Sequence, residues 1–241
     1  MIQRRASKPP MSAHLFDAFA AAILPPDCDH GDLRPLRDIA VSMALGAGET
    51  ARLDENDNHI AFLAQGACKL VAYLASGREQ VVAFHFPGDL VSVPARGLHA
   101  FGLVALKDAR LIVFPEDAFL AQATLERGFG GAVLARAMVS LNRCREQSLL
   151  LGRKTAGERV ATFLATMAGR VGEATGAGWD MHLPMSRRDI ADSLGMTIET
   201  VSRQFSKLRA SGLIETNGRS GVRLTDLAGL EARAGYVDLA A

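Results

Sequence analysis

The 241-residue sequence has little cysteine, only one tryptophan and two tyrosines, and no long uncharged apolar run. Its three cysteines, Cys28, Cys68 and Cys144, stand far apart with no CxxC pair. That removes the usual zinc and iron–sulfur spacings, and an odd number argues against a disulfide framework. A reducing, cytoplasmic setting is the expectation. Nothing approaches the ~20 apolar residues of a membrane-spanning helix, so no membrane partner is expected. The opening "MIQRRASKPPMSAHLFDAFAAAILPP" imitates a secretory leader, but Asp17 interrupts its apolar run and no cleavage pattern follows. Catalytic signatures are missing too: no nucleophile elbow, no GxxxxGKS/T phosphate cradle, no HExxH and no paired carboxylates on one face. The chain does not read as an enzyme.

What is present is a globular composition, 49 % hydrophobic and 22 % charged, with a net charge of +1. The charge is uneven. Residues 1–149 carry 15 basic against 16 acidic residues, residues 150–241 carry 12 against 10, and residues 186–223 alone carry 7 against 4. The positive excess therefore gathers in one C-terminal stretch, as a polyanion partner would require.

Patterning divides the chain into four regions. Residues 1–43 read as an arm of about twelve residues followed by two short helices, over 13–23 and 33–40. Residues 44–117 read as antiparallel β structure, a sandwich or barrel. Its strands include "HIAFLA", "CKLVAYL", "QVVAFHF" and "RLIVFP", split by turn signals such as "AQGA", "ASGRE", "FPGD", "PARG" and "LKDAR". Residues 118–152 read as a helix on which Leu134, Ala137, Leu141, Cys144, Ser148 and Leu151 recur at coiled-coil steps of 3 and 4. That is the seam of a homodimer; the alternative is a face packed on the chain's own β region. Cys144 on such a seam would face its twin, or simply fill space. Residues 153–241 begin with a capping-box pair, Thr155 and Glu158, which starts a fresh helix and makes residues 152–154 a hinge. A glycine-rich loop, "GRVGEATGAGW", and one strand, "DMHLPM", follow.

The most informative stretch is "SRRDIADSLGMTIETVSRQFSKLRASGLI", residues 186–214. Ser186 and Asp189 repeat the capping-box spacing and start a helix. Gly195 permits the left-handed backbone of a sharp helix-to-helix turn, and Thr197 caps a second helix over 197–210. Val201, Phe205 and Leu208 point inward, leaving Glu199, Ser202 and Arg203 on the opposite face near the helix start. In a helix-turn-helix that end enters the major groove. Arg203 can donate two hydrogen bonds to a guanine, Glu199 can accept from a cytosine amino group, and Ser202 is short enough for close approach. The competing reading is a surface ion pair between Glu199 and Arg203 on an ordinary helix hairpin. The next segment, "LIETNGRSGVRLTD", reads as two strands around a tight turn, a wing. Ser186, Arg187, Thr197, Thr200, Lys207, Arg209 and Arg219 are the expected phosphate contacts on double-stranded DNA.

Those residues resemble the cyclic-AMP receptor/FNR family of bacterial transcription regulators. "FHFPGDLV" late in the β region and "LLGRKTAGERVATFL" at the junction extend the resemblance along nearly the whole chain. It implies an α+β fold: an N-terminal antiparallel β-roll of the cyclic-nucleotide-binding kind, a long dimerisation helix, and a C-terminal winged helix-turn-helix. The ExxSR pattern of Glu199, Ser202 and Arg203 is similar to the FNR/FixK branch; the receptor branch has arginine and glycine where this chain has Ile198 and Ser202. The resemblance then implies a homodimer reading a TTGAT palindrome, in low-oxygen or nitrogen-oxide responses, and contacting RNA polymerase if it activates. Three cysteines cannot supply the four thiolates of an FNR iron–sulfur cluster. The cyclic-nucleotide window "PGDLVSVPARGLHAFGLVAL" has no glutamate, and His99 stands where the phosphate-binding arginine would be, with Arg96 nearby. No cofactor is expected, although a ligand-gated or haem-bearing sensor stays open: His14, His30, His59, His85, His99 and His182 are scattered, without a CxxCH.

Overall fold

The structure is a computed structural model that describes residues 13–24, 33–75, 77–95, 97–176 and 178–235. The arm expected over residues 1–12, together with Cys28, His30 and Arg96, lies outside the described residues. The chain forms two compact units, residues 1–140 and 141–241.

The first unit opens with helices α1 (Ala13–Ile23) and α2 (Arg34–Ile39), where sequence spacing puts them. Five strands follow: β1 (Val41–Leu45), β2 (His59–Tyr73), β3 (Glu79–His85), β4 (Leu90–Val93) and β5 (Ala100–Pro115). They form one antiparallel sheet in the order β1-β5-β2-β3, with β4 also paired to β2. Alternate residues of β2 and β5 serve two cores, because side chains along a strand point to opposite faces. Ala61, Leu63, Leu111 and Val113 join Cys68, Leu70, Val91 and Leu103 in one. Phe62, Ile112 and Phe114 face the other, where Phe16 and Phe19 of α1 meet Phe119 and Phe129. Six of the eleven phenylalanines thus share one cluster, with neighbouring ring centroids 5.1–6.5 Å apart and several pairs edge-on.

Three details depart from the sequence reading. The first strand begins at Val41, three residues earlier than the expected β region. "AQGA" and "LKDAR" are not turns: β2 and β5 each run straight through them as single strands of 15 and 16 residues. The register shifts around Gln65 and Ala67, and Gly66 has φ +88°; a Cβ there would run into the Asp108 carbonyl and stand 2.8 Å from the Ala109 Cα. The glycine serves a bulge and a close backbone approach, a use that looks like a turn in sequence. The expected helix over 118–152 is two helices, α3 (Glu116–Leu125) and α4 (Phe129–Arg153). Gly128 separates them at φ +80°, and Phe129 turns into the aromatic cluster.

The second unit contains the end of α4, then α5 (Ala156–Val171), β6 (Gly172–Thr175), β7 (Gly178–His182), α6 (Arg187–Leu194), α7 (Ile198–Ala210), β8 (Ile214–Asn217), β9 (Gly221–Leu224) and α8 (Leu227–Ala234). The Thr155–Glu158 capping box forms in both directions, at 3.4 and 2.6 Å, and opens α5 as expected. The glycine-rich stretch is not a loop. Its first three residues close α5, and from Gly172 it enters the β6–β7 hairpin at the edge of a four-stranded sheet ordered β6-β7-β9-β8. Its glycines answer to contacts: a Cβ on Gly172 would strike the Ala168 carbonyl and stand 3.1 Å from the Trp179 ring, and one on Gly178 would strike the Leu224 carbonyl. Helix α8, which packs against α5, had no counterpart in the sequence reading.

The candidate nucleic-acid interface

The helix pair α6–α7 is built by three local devices. Ser186 sits in extended backbone and its hydroxyl accepts from the Asp189 N–H at 3.2 Å, while the Asp189 carboxylate accepts from the Ser186 N–H at 2.8 Å and from its hydroxyl at 2.6 Å. Such caps stabilise a helix by about 1 kcal/mol. Gly195 ends α6 at φ 61°, ψ 43°, and the Thr197 hydroxyl accepts from the Thr200 N–H at 3.3 Å to start α7. Val201, Gln204, Phe205 and Leu208 are buried, which turns the opposite side of α7 outward.

Glu199, Ser202 and Arg203 are all exposed on that outward side. Glu199 and Arg203 form no ion pair with each other among the described residues. The Glu199 carboxylate folds back onto its own N–H and the Thr197 hydroxyl; these hydrogen bonds, with the nearby Arg188 charge, hold it below the usual carboxylate range. Arg203 donates instead to the Thr200 hydroxyl at 3.3 Å. The surface ion pair is not formed in this structure, and neither charge is spent on the other.

The remaining expected contacts fall into separate groups. Ser186, Arg187, Thr197 and Thr200 surround the starts of α6 and α7. Arg187 is half-buried, lying over the Phe205 ring with Nη1 enclosed and without a hydrogen-bond partner; burial pulls its guanidinium down to about 10. Lys207 and Arg209 are exposed in the last turn of α7, where they also complement the helix dipole. They stand about 12–15 Å along the axis from Glu199, from a rise of about 1.5 Å per residue. Arg219 is exposed in the turn between β8 and β9, whose Gly218 has φ +64°. Ser220 in that turn meets His182 Nε2 at 2.9 Å.

Sequence reasoning overlooked Ser206, which is exposed three residues after Arg203 and four after Ser202, on the same face. Helical spacing alone could have found it. With Arg187, Ser202, Arg209 and Thr216 it lines a shallow hollow of 140 Å³ beside α7. Thr216, from β8, joins this group only through the tertiary fold.

The six seam positions, Leu134, Ala137, Leu141, Cys144, Ser148 and Leu151, are all exposed, so their face of α4 is uncovered in the single chain. Met138, Val139 and Leu149 are exposed as well, at 48, 50 and 56 %. Among the described residues, no three His, Cys, Asp or Glu side chains come together as a metal-holding group, and no helix is long and apolar enough to cross a membrane.

Two capped helices across a left-handed glycine, followed by a two-stranded wing, define a winged helix-turn-helix DNA-binding domain. Comparison with known proteins agrees. Residues 158–233 match the sequence model of the Crp-like helix-turn-helix domain, and residues 50–124 match that of the cyclic nucleotide-binding domain. The transcriptional activator protein FnrL of Cereibacter sphaeroides is 34 % identical over 86 % of both chains. The nitrogen fixation regulation protein FixK of Bradyrhizobium diazoefficiens is 35 % identical over 86 % of this chain and 87 % of its own. The solved structure of FixK2 from Bradyrhizobium japonicum superposes with a TM-score of 0.72 at 31 % identity, covering 83 % of this chain and 99 % of that one. The chain belongs to the CRP/FNR family of DNA-binding transcription regulators, in its FixK/FNR-like branch.

Proposed function

We propose that this regulator works as a homodimer that reads a palindromic TTGAT operator in duplex DNA, without a resident iron–sulfur cluster, in low-oxygen or nitrogen-oxide responses. The observation that carries the reading is the outward edge of α7, where Glu199, Ser202 and Arg203 are exposed and the two charges are not spent on each other. Arg203 reads the guanine as a bidentate donor, and Glu199 and Ser202 set the neighbouring bases. The flanking cations and hydroxyls hold the module against the phosphates. The uncovered face of α4 supplies the dimer contact, and its two-fold symmetry matches a palindrome. Relatives named as transcriptional activators favour activation, which requires contact with RNA polymerase.

Selection of bound sites from random duplex DNA, with and without reductant, tests this. The expected outcome is enrichment of TTGAT as an inverted repeat by a dimer. Equal affinity for every duplex, or binding by a strict monomer, would overturn it.

A further inference from the structure

Two helix C-termini meet in the second unit, those of α4 and α6, and one side chain joins them. Each such end presents carbonyls without intrahelical partners and about half a negative charge from the macrodipole, so side by side they repel. Arg159, in the first turn of α5, lies between them. Its Nη2 donates to the Leu151 carbonyl at 2.8 Å and its Nε to the Lys154 carbonyl at 3.0 Å, both at the end of α4. Its Nη1 donates to the Leu194 carbonyl at 2.9 Å, the last of α6. Gln147 of α4 adds a bond from Nε2 to the Ser193 carbonyl at 2.7 Å. Leu151 lies beside Gly195, where a Cβ would be in ordinary contact with its methyl at 3.5 Å. The turn that launches the recognition helix is therefore fastened to α4 through carbonyl acceptors converging on one cation.

We infer that Arg159 is a positioning residue that sets the heading of α7 relative to α4, and thereby the spacing between half-sites that the dimer accepts. This rests on the dimeric reading above. Arginine suits the role because its planar fork spends three donors in three directions, which a lysine ammonium cannot do with the same fixed geometry. Arg159 faces away from the bases in this role. Its loss changes how two recognition helices fit one duplex while each alone reads its half-site as before.

The test uses the full chain, with the wild type as reference and three variants of this region, Arg159→Met, Arg159→Lys and Gln147→Leu, each also followed by thermal unfolding. Affinity is measured for TTGAT palindromes whose spacer grows or shrinks by single base pairs, and for a duplex with one half-site. Arg159→Met is expected to cut the preference for the best spacer by about tenfold, the worth of a hydrogen bond to a charged group, while single-half-site affinity stays within about twofold. Arg159→Lys should restore only part of the preference, and Gln147→Leu should reduce it more mildly. An Arg159→Met or Gln147→Leu protein that keeps the full wild-type spacing preference overturns the inference. So does a parallel fall of palindrome affinity, half-site affinity and Tm, which would mark a purely structural role. A wild type that binds DNA only as a strict monomer overturns the dimeric reading itself and this inference with it.

Discussion

The guanidinium of Arg187 lies over Phe205, its central carbon 3.2 Å from the ring centroid, although Phe205 belongs to the buried side of α7. Stacking of this kind is attractive, yet burial lowers the guanidinium to about 10, so the folded domain holds a charge in a place that disfavours it. A folded pKa below the unfolded one means that this desolvation opposes folding at every pH below about 10 and is relieved only above it. Arg187→Met should therefore raise Tm. If Arg187 meets a phosphate, the same change removes one contact from each protomer of the dimer and should lower the slope of log affinity against log salt by about 1.8. Thermal unfolding and a salt titration check both signs together; an unchanged slope would remove Arg187 from the phosphate contacts.

Arg203→Ala should weaken binding to a TTGAT palindrome by about 1–3 kcal/mol, roughly 5- to 150-fold, for each half-site at matched salt, and relax selection at the guanine. Equal affinity for wild type and variant, measured by fluorescence anisotropy, would remove Arg203 from base reading.

Leu141 is 41 % exposed in the middle of the uncovered α4 face. Leu141→Glu places a charge where two copies would meet and should yield a folded monomer, seen by sedimentation, with palindrome affinity reduced to that for a single half-site. A variant that remains dimeric would move the interface elsewhere.

Gly66 and Gly48 have nearly the same φ, +88° and +85°, but very different surroundings. A side chain on Gly48 meets open space, whereas one on Gly66 meets the Asp108 carbonyl and Ala109. Gly48→Ala should cost about 1–2 kcal/mol for the left-handed backbone alone. Gly66→Ala should cost more, because the β2–β5 bulge must open. The difference in Tm between the two variants isolates the close approach from the dihedral strain.

The Glu158 carboxylate is held below its usual value of 4.5, first by the Thr155 hydroxyl and backbone, with help from the Lys154 and Arg233 charges. A depressed folded pKa gives stability that is present above pH 4.5 and lost as the pH falls through the lowered value. Glu158→Gln keeps the capping geometry but removes that titration, so the stability–pH curve of the variant should be flatter below pH 4.5. Urea unfolding across pH 3–6 reads the difference.

Features with a local cause were legible in the sequence. The Ser186–Asp189 and Thr155–Glu158 caps, the Gly195 turn and the outward edge of α7 all follow from residues three or four apart, and each formed as spaced. Features with a distant cause were not. Gly66 resembled a turn because its reason, the backbone of residues 108–109, lies some forty positions away. Gly178 resembled part of a loop because the group that excludes its side chain, the Leu224 carbonyl, is in β9. Arg159 looked like an ordinary helix cation, since its acceptors are backbone carbonyls and leave no trace in residue identity. Thr216 reached the hollow beside α7 by the same route.

The phenylalanine cluster gives the amino-terminal segment a heavier duty than its position suggests. Phe16 and Phe19 of α1 lie against Phe62, Phe114, Phe119 and Phe129, and the last of these roots α4. Trimming the chain to where the sheet begins would strip a roof from four greasy rings and loosen the footing of α4. Shortened versions made to simplify handling should therefore clump or lose self-association before their DNA-reading half shows any defect.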